Sequence, residues 1–165
     1  MKLTKSSPLQ KLLDTLPQQG TVQWIGIRPQ RKAPLTSLQT VEALTLKGLS
    51  GDHFSGSATS KRQITLIQQE HINTVTSIMQ LPVMPDMLRR NIVVKGINLL
   101  ALKDKTFWVG NALLEYTGEC HPCSRMEENL GAGGYNAMRG HGGITARILQ
   151  GGIINIGDSV KINEA

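Results

Sequence analysis

Cysteine and aromatic residues are both scarce in this chain. Its 165 residues include only two cysteines, too few for a fold that depends on disulfide bonds. Aromatic residues make up 4% of the chain, so we expect a core built mainly from Leu, Ile and Val. With 39% hydrophobic and 18% charged residues, the composition is that of a folded protein. The length suits one domain with its own core.

Long apolar runs and long basic runs are also absent. No hydrophobic segment approaches the roughly 20 residues that span a membrane. Lys11 and Asp14 interrupt the leucine-rich start, which is not typical of a secretory signal. Basic residues occur at most in pairs, without the interleaved aromatic residues that stack on bases. We therefore expect a soluble cytoplasmic protein that binds neither membranes nor nucleic acid.

Positive charge is the one strong bias in composition. The formal net charge of +6 favours acidic partners or anionic small molecules, including compounds that carry phosphate. The same charge is also consistent with solubility alone, and composition does not separate the two explanations.

The hydrophobic pattern predicts a β-rich domain with a short N-terminal extension. Leu9, Leu12 and Leu13 fall at helical spacing before Pro17, so residues 1–19 are expected to form an extension with a short helix. Residues 20–163 are expected to form a single domain. The predicted strands lie at 22–28, 41–46, 62–68, 92–95, 106–109, 112–117, 144–149, 153–156 and 160–162.

Two further helices are predicted at 69–79 and 124–130, and the segments 29–37 and 48–60 are expected to be loops. The strands do not alternate regularly with helices, which argues against a doubly wound parallel sheet. We therefore predict a mixed α/β, β-rich fold whose mixed or antiparallel sheet closes into a barrel-like core, with about three flanking helices.

Both cysteines lie in residues 118–127, between a predicted strand and a predicted helix. A thiol at such a junction lies near unpaired backbone N–H groups and the positive end of the helix dipole. Both favour the thiolate, which is the form that attacks electrophiles and binds metals. Cys120 and Cys123 are therefore candidate catalytic residues.

Four interpretations of the Cys120-His-Pro-Cys123 motif remain open at this point. It could be a dithiol redox centre, although a thioredoxin-like fold would place the motif near its first strand and helix. It could be half of a zinc site completed by His53, His121 or His141. It could present one reactive thiolate that carries sulfur or ligates a soft metal. It could also hold two buried thiols that act as small hydrophobic residues.

Two glycine-rich loops carry further candidate residues. Arg139 and His141 lie in residues 139–143, where three glycines would let a ligand approach the backbone N–H groups closely. Asp52 and His53 lie in a second such loop, which could contact an anion or a metal, or could simply form a turn.

Arginines at strand ends form the last group of candidates. Arg62 begins one predicted strand, and Arg89, Arg90 and Asn91 precede another. If the fold gathers these residues and Arg139 at a common rim, the positive charge would serve an anionic ligand.

Taken together and in order, these segments resemble the MOSC family, whose domain forms the C-terminus of molybdenum cofactor sulfurases. The resemblance spans about residues 20–163. It rests on Gly-Leu-Ser-Gly-Asp-His at 48–53, Arg-Gln-Ile-Thr-Leu-Ile at 62–67, Arg-Arg-Asn-Ile-Val-Val at 89–94, Gly-Glu-Cys-His-Pro-Cys at 118–123, Met-Arg-Gly-His-Gly-Gly at 138–143, and the closing residues 152–160.

The resemblance implies a barrel-like β fold and molybdenum cofactor (molybdopterin) chemistry, with a cysteine as sulfur carrier or molybdenum ligand. Cys123 matches the family's functional cysteine best, and Cys120 is an additional thiol. By the same resemblance, six residues would hold the pterin phosphate or the metal-oxo group: Arg62, Arg89, Arg90, Asn91, Arg139 and His141.

The family's larger members carry additional domains that this sequence lacks. Cofactor sulfurases have a pyridoxal phosphate-dependent desulfurase domain, and members that reduce N-hydroxylated compounds have an extra N-terminal β domain. We therefore expect a stand-alone domain that depends on a separate cysteine desulfurase or on separate electron-transfer proteins. The alternatives are a dithiol oxidoreductase and a non-enzymatic module that delivers an anionic ligand.

Overall fold

A closed barrel of seven strands forms the centre of the computed structural model, which describes residues 4–54 and 56–164. The barrel strands are β1 (Gly20–Ile27), β5 (Ile64–Gln68), β6 (Ile92–Lys95), β7 (Thr106–Val109), β8 (Ala112–Glu119), β9 (Ile144–Gln150) and β11 (Ser159–Ile162). Around the barrel the order is β11-β7-β8-β9-β5-β6-β1, and pairing of β1 with β11 closes it.

In the described chain, four further strands lie outside the barrel. Strand β2 (Thr36–Leu38) extends the sheet beyond β1, and a three-stranded sheet consists of β10 (Gly152–Asn155), β3 (Thr40–Leu44) and β4 (Gly48–Leu49). Strands β5 and β6 pair in parallel, whereas the other pairs are antiparallel. The predicted mixed, barrel-like sheet is therefore confirmed.

Helices lie in two main places: in the crossover between the parallel strands β5 and β6, and in the segment after β8. The helices are α1 (Pro8–Asp14), α2 (Gln69–Met79), α3 (Pro85–Leu88), α4 (Ser124–Leu130) and α5 (Gly134–Met138), with a 3₁₀ helix at Leu99–Leu102. Helices α2 and α3 connect β5 to β6, as a parallel pair requires a crossover. No helix of the described chain is both long and apolar enough to cross a membrane.

Two hydrophobic cores follow from the alternation of side chains along the strands. Leu66 and Ile92 point into the barrel, whereas Ile67 and Val93 point outward and pack with helical residues such as Met126. The barrel is therefore filled from inside, and its outer face at β5 and β6 is covered by the helices.

The largest differences from the sequence predictions concern short elements. The predicted loop 29–37 ends in β2, and α3 and α5 were not predicted. Helix α5 begins in the glycine-rich stretch because the Glu127 carboxylate accepts hydrogen bonds from the backbone N–H groups of Gly133 (2.7 Å) and Tyr135 (2.9 Å). This carboxylate contact comes from the preceding helix, so glycine content alone does not reveal it.

Candidate functional site

Cys123 lies where the sequence places it, in the turn between β8 and α4. It is the N-cap residue of α4, and its carbonyl oxygen accepts a hydrogen bond from the N–H of Met126 (2.9 Å). Cys123 is exposed, Cys120 is only 2% exposed, and both are free thiols. The two cysteines therefore differ in access to solvent, and Cys123 is the one that a dissolved molecule can reach.

Arg90 links residues 120–123, which we call the cysteine turn, to residues 139–143, which we call the glycine loop. Its guanidinium donates hydrogen bonds from Nε to the carbonyl of Gly142 (2.8 Å), from Nη1 to that of Leu88 (2.9 Å) and from Nη2 to that of Cys120 (3.4 Å). Arg90 is only 3% exposed, and burial lowers its pKa from the ordinary value for arginine. Since its donors are directed at backbone carbonyls, Arg90 holds the turn rather than facing solvent.

The glycines of the loop are required by close backbone approach. The N–H of Cys120 donates to the carbonyl of Gly143 (2.8 Å). A Cβ on Gly142 would overlap the carbonyl oxygen of Cys120, and one on Gly143, whose φ is +86°, would overlap that of Leu66. Glycine at both positions therefore lets the loop pack directly against the cysteine turn.

Arg89, by contrast, has a buried donor that no described residue uses. It ends α3 in the left-handed conformation with φ of 58°, and its Nη2 is buried with no hydrogen-bond partner among the described residues. Burial lowers the pKa of Arg89, and the charges of Arg28 and Arg125 lower it further, while Cys123 acts in the opposite direction. Arg89 therefore lies within electrostatic reach of two other arginines and of the exposed thiol.

We call Arg28, Arg89 and Arg125 the arginine cluster. The Nε of Arg28 is also buried without a hydrogen-bond partner in the part of the chain that is described. Sequence reasoning missed Arg28 and Arg125, although Arg28 directly follows β1 and Arg125 lies two residues after Cys123. Both are arginines near the end of a strand or helix, and this is the feature by which the sequence analysis predicts Arg62 and Arg89 as site residues.

Asp52 and Asn91 fix the backbone at Arg28. The N–H of Arg28 donates to Asp52 Oδ1 (2.7 Å), and Asn91 Nδ2 donates to Asp52 Oδ2 (3.4 Å) and to the carbonyl of Gly26 (3.1 Å). Asn91 Oδ1 accepts from both the N–H and the hydroxyl of Thr65, each at 3.1 Å. These polar groups are bonded to protein atoms, so the geometry gives them a positioning role.

Three other predicted residues, His53, Arg62 and Arg139, differ in their surroundings. The backbone N–H of His53 donates to the carbonyl of Arg28 (2.6 Å). Arg62 is exposed, and its charge contributes to the lowered pKa of Arg90. Arg139 is exposed, and its side chain makes no hydrogen bond or ion pair with any described residue.

His141 contacts α2 through the ring of His71. Its ring lies edge-on to that of His71, with centroids 5.1 Å apart, and its Nδ1 lies 3.1 Å from the carbonyl of Ala137. Burial lowers the pKa of His71, and His141 lowers it further. The fold thus places Cys123 within electrostatic reach of Arg89, and Arg62 within reach of Arg90.

This arrangement combines a thiol with two guanidinium donors that have no partner among the described residues. Guanidinium groups with free N–H donors bind oxyanions well, and a thiolate is a soft ligand for metals and sulfur. Among residues 4–54 and 56–164, no three His, Cys, Asp or Glu residues form a cluster that could hold a metal ion. The described residues therefore do not form the closed ligand set of a structural zinc site.

Comparisons with known proteins agree with this fold. No curated protein matches the chain. The structure resembles that of YuaD from Bacillus subtilis (TM-score 0.75, 19% identity), covering 90% of this chain and 98% of that one. It also resembles YiiM from Geobacillus stearothermophilus (TM-score 0.69, 17% identity), covering 88% of this chain and 75% of that one. YiiM from Escherichia coli is similar as well (TM-score 0.66, 16% identity), with 88% of this chain and 70% of that one covered.

At these identities the solved structures support the fold alone. The family model for the MOSC domain, however, matches residues 50–161, which is more than half of the chain and includes the cysteine turn, Arg89 and the glycine loop. The chain therefore belongs to the MOSC domain family.

Proposed function

We propose that this chain is a molybdenum cofactor-binding or sulfur-carrying protein whose working group is the Cys123 thiolate. The observation that supports it is the exposed thiol within electrostatic reach of Arg89, whose buried Nη2 has no protein partner among the described residues. A thiol next to unused guanidinium donors suits a ligand that is both soft at one atom and anionic at another.

The residues present fit the cofactor. Its phosphate would be held by the arginine cluster, where two buried N–H groups lack partners within the described chain, and its metal would be reached by Cys123. When bound, the cofactor would supply redox chemistry at molybdenum, such as reduction of N-hydroxylated compounds with electrons from separate proteins. Arg62, Arg139, His53 and His141 remain proposed further contacts, whereas Asp52, Arg90 and Asn91 act by positioning.

As a sulfur carrier, the protein would act by thiol exchange. The Cys123 thiolate attacks the outer sulfur of a cysteine persulfide on a separate, pyridoxal phosphate-dependent desulfurase. A new S–S bond forms at Cys123, the donor's S–S bond breaks, and the donor cysteine leaves as a thiolate. The outer sulfur moves with its proton, so the transfer needs no further oxidant or reductant. We place this chemistry in the cytoplasm.

The experiment compares Cys123→Ser with Cys120→Ser. Each purified variant is incubated with a persulfide-loaded desulfurase, and the mass of the chain is measured for one added sulfur atom. We expect the added sulfur on the wild type and on Cys120→Ser, and none on Cys123→Ser. Equal loss in both variants, together with an intramolecular disulfide in the wild type, would indicate a dithiol oxidoreductase instead. Retention of an anionic ligand after loss of both thiols would indicate a delivery module.

A further inference from the structure

A cavity of about 530 Å³ opens on the outer side of the barrel, between β1, β2 and the first turns of α2 and α3. Its volume lies within the range of small-molecule pockets, roughly 300–1,000 Å³. The residues that matter for its chemistry are Trp24, Leu35, Ser37, Gln69, Met84 and Asp86.

Trp24 supplies an aromatic wall with an unused hydrogen-bond donor. Its indole N–H has no partner in the described chain, whereas that of Trp108, the only other tryptophan, donates to Asn163 Oδ1 (3.3 Å). The Trp24 ring lies over Gly26, where a Cβ would overlap it, and one side of the ring packs against the outer core. The ring is therefore fixed in place while still half-exposed, as a stacking surface should be.

Asp86 gives the cavity a charge opposite to that of the chain. It is the only charged residue among the cavity's lining residues, it is exposed, and its carboxylate makes no ion pair within the described structure. Gln69 and Ser37 add uncharged polar groups. A planar ligand that carries N–H donors therefore suits this site, and a carboxylate accepts two parallel N–H donors especially well.

The cavity is adjacent to the arginine cluster through two elements. Trp24, Gly26 and Arg28 alternate along β1 and so face the same side of the strand. Helix α3 begins at Pro85, beside the cavity, and ends at Leu88, directly before Arg89. The two sites are neighbours, but their preferred ligands have opposite charge.

We propose that this cavity is a second ligand site, which binds a planar heteroaromatic amine stacked on Trp24 with its N–H donors on Asp86. The site goes beyond the proposed function, since binding needs neither Cys123 nor a cofactor. It would hold an organic molecule next to the centre where the thiol lies.

The test uses 2-aminoquinoline as the probe and quinoline as its amine-free counterpart. Binding to the full chain is measured by quenching of tryptophan fluorescence in Trp108→Phe, where Trp24 is the only tryptophan. We expect saturable quenching, with 2-aminoquinoline binding about tenfold more tightly than quinoline. Asp86→Asn should remove that preference.

Trp24→Leu should lose binding, and two further variants test the proposal if this variant does not fold. Ser37→Phe fills the cavity from an exposed position on β2, and it should abolish binding without disturbing either core. Cys123→Ser should bind as tightly as its parent. The proposal is overturned if no saturable binding occurs up to about 1 mM probe, or if Ser37→Phe and Asp86→Asn both bind like the parent.

Discussion

Arg90 offers the sharpest test of how the cysteine turn is held. Arg90→Met keeps a long apolar side chain but removes the donors to the carbonyls of Leu88, Gly142 and Cys120. Two of these bonds are short and one, at 3.4 Å, is weak. Leaving a buried acceptor unpaired costs about 1–3 kcal/mol, and removing a buried charge recovers part of this. We therefore expect a net loss of about 3 kcal/mol in the free energy of unfolding.

The assay combines denaturant unfolding with alkylation of Cys120. Because Arg90 ties down the Cys120 carbonyl, its loss should also raise the alkylation rate of this thiol, which is 2% exposed in the native structure. Arg62→Met is the matched control, since Arg62 is exposed and its side chain makes no hydrogen bond with the described residues. We expect its free energy of unfolding to stay within about 0.5 kcal/mol of the wild type. A loss below about 1 kcal/mol for Arg90→Met, with Cys120 still protected, would refute the reasoning.

Two further predictions concern the glycine loop and the histidine pair. Gly143→Ala should lower the free energy of unfolding by more than about 3 kcal/mol, because its Cβ would overlap the Leu66 carbonyl. Gly131 is also at positive φ, but a Cβ there would meet nothing within 4 Å, so Gly131→Ala should lower it by only about 1 kcal/mol. Equal losses in thermal unfolding would contradict the close approach. His71 has a lowered pKa, so the unfolded chain binds its proton first, and stability should fall as pH drops below about 6.5. His71→Gln should flatten this part of the pH–stability curve, and an unchanged slope would argue against the burial of His71.

The sequence predicts the elements whose signals are local. The hairpin of β7 and β8, the helix α2, and the order of strand, thiol and helix around Cys123 are all confirmed. Alternation and turn residues determine these elements within a few positions of the chain. Helix α5 was missed because its N-terminal N–H groups are satisfied by Glu127, in the preceding helix.

The site depends on contacts between residues far apart in sequence, and these were predictable only in part. Arg89 and Arg90 are neighbours with the same side chain, yet one has a buried donor without a described partner and the other binds three carbonyls. Arg89 also has a left-handed backbone, which no pattern of residue types reveals. Arg28 enters the cluster through Asp52, 24 positions away, a contact that exists only in the folded chain.

We propose that Cys123 and the arginine cluster together hold a molybdenum cofactor. The most direct measurement is the molybdenum and pterin content of protein made in a molybdenum-replete host, for the wild type, Cys123→Ser and Arg89→Met. We expect both components in the wild type, loss of molybdenum in Cys123→Ser, and weaker retention of pterin in Arg89→Met. Absence of both components from the wild type, or equal content in all three proteins, would contradict it.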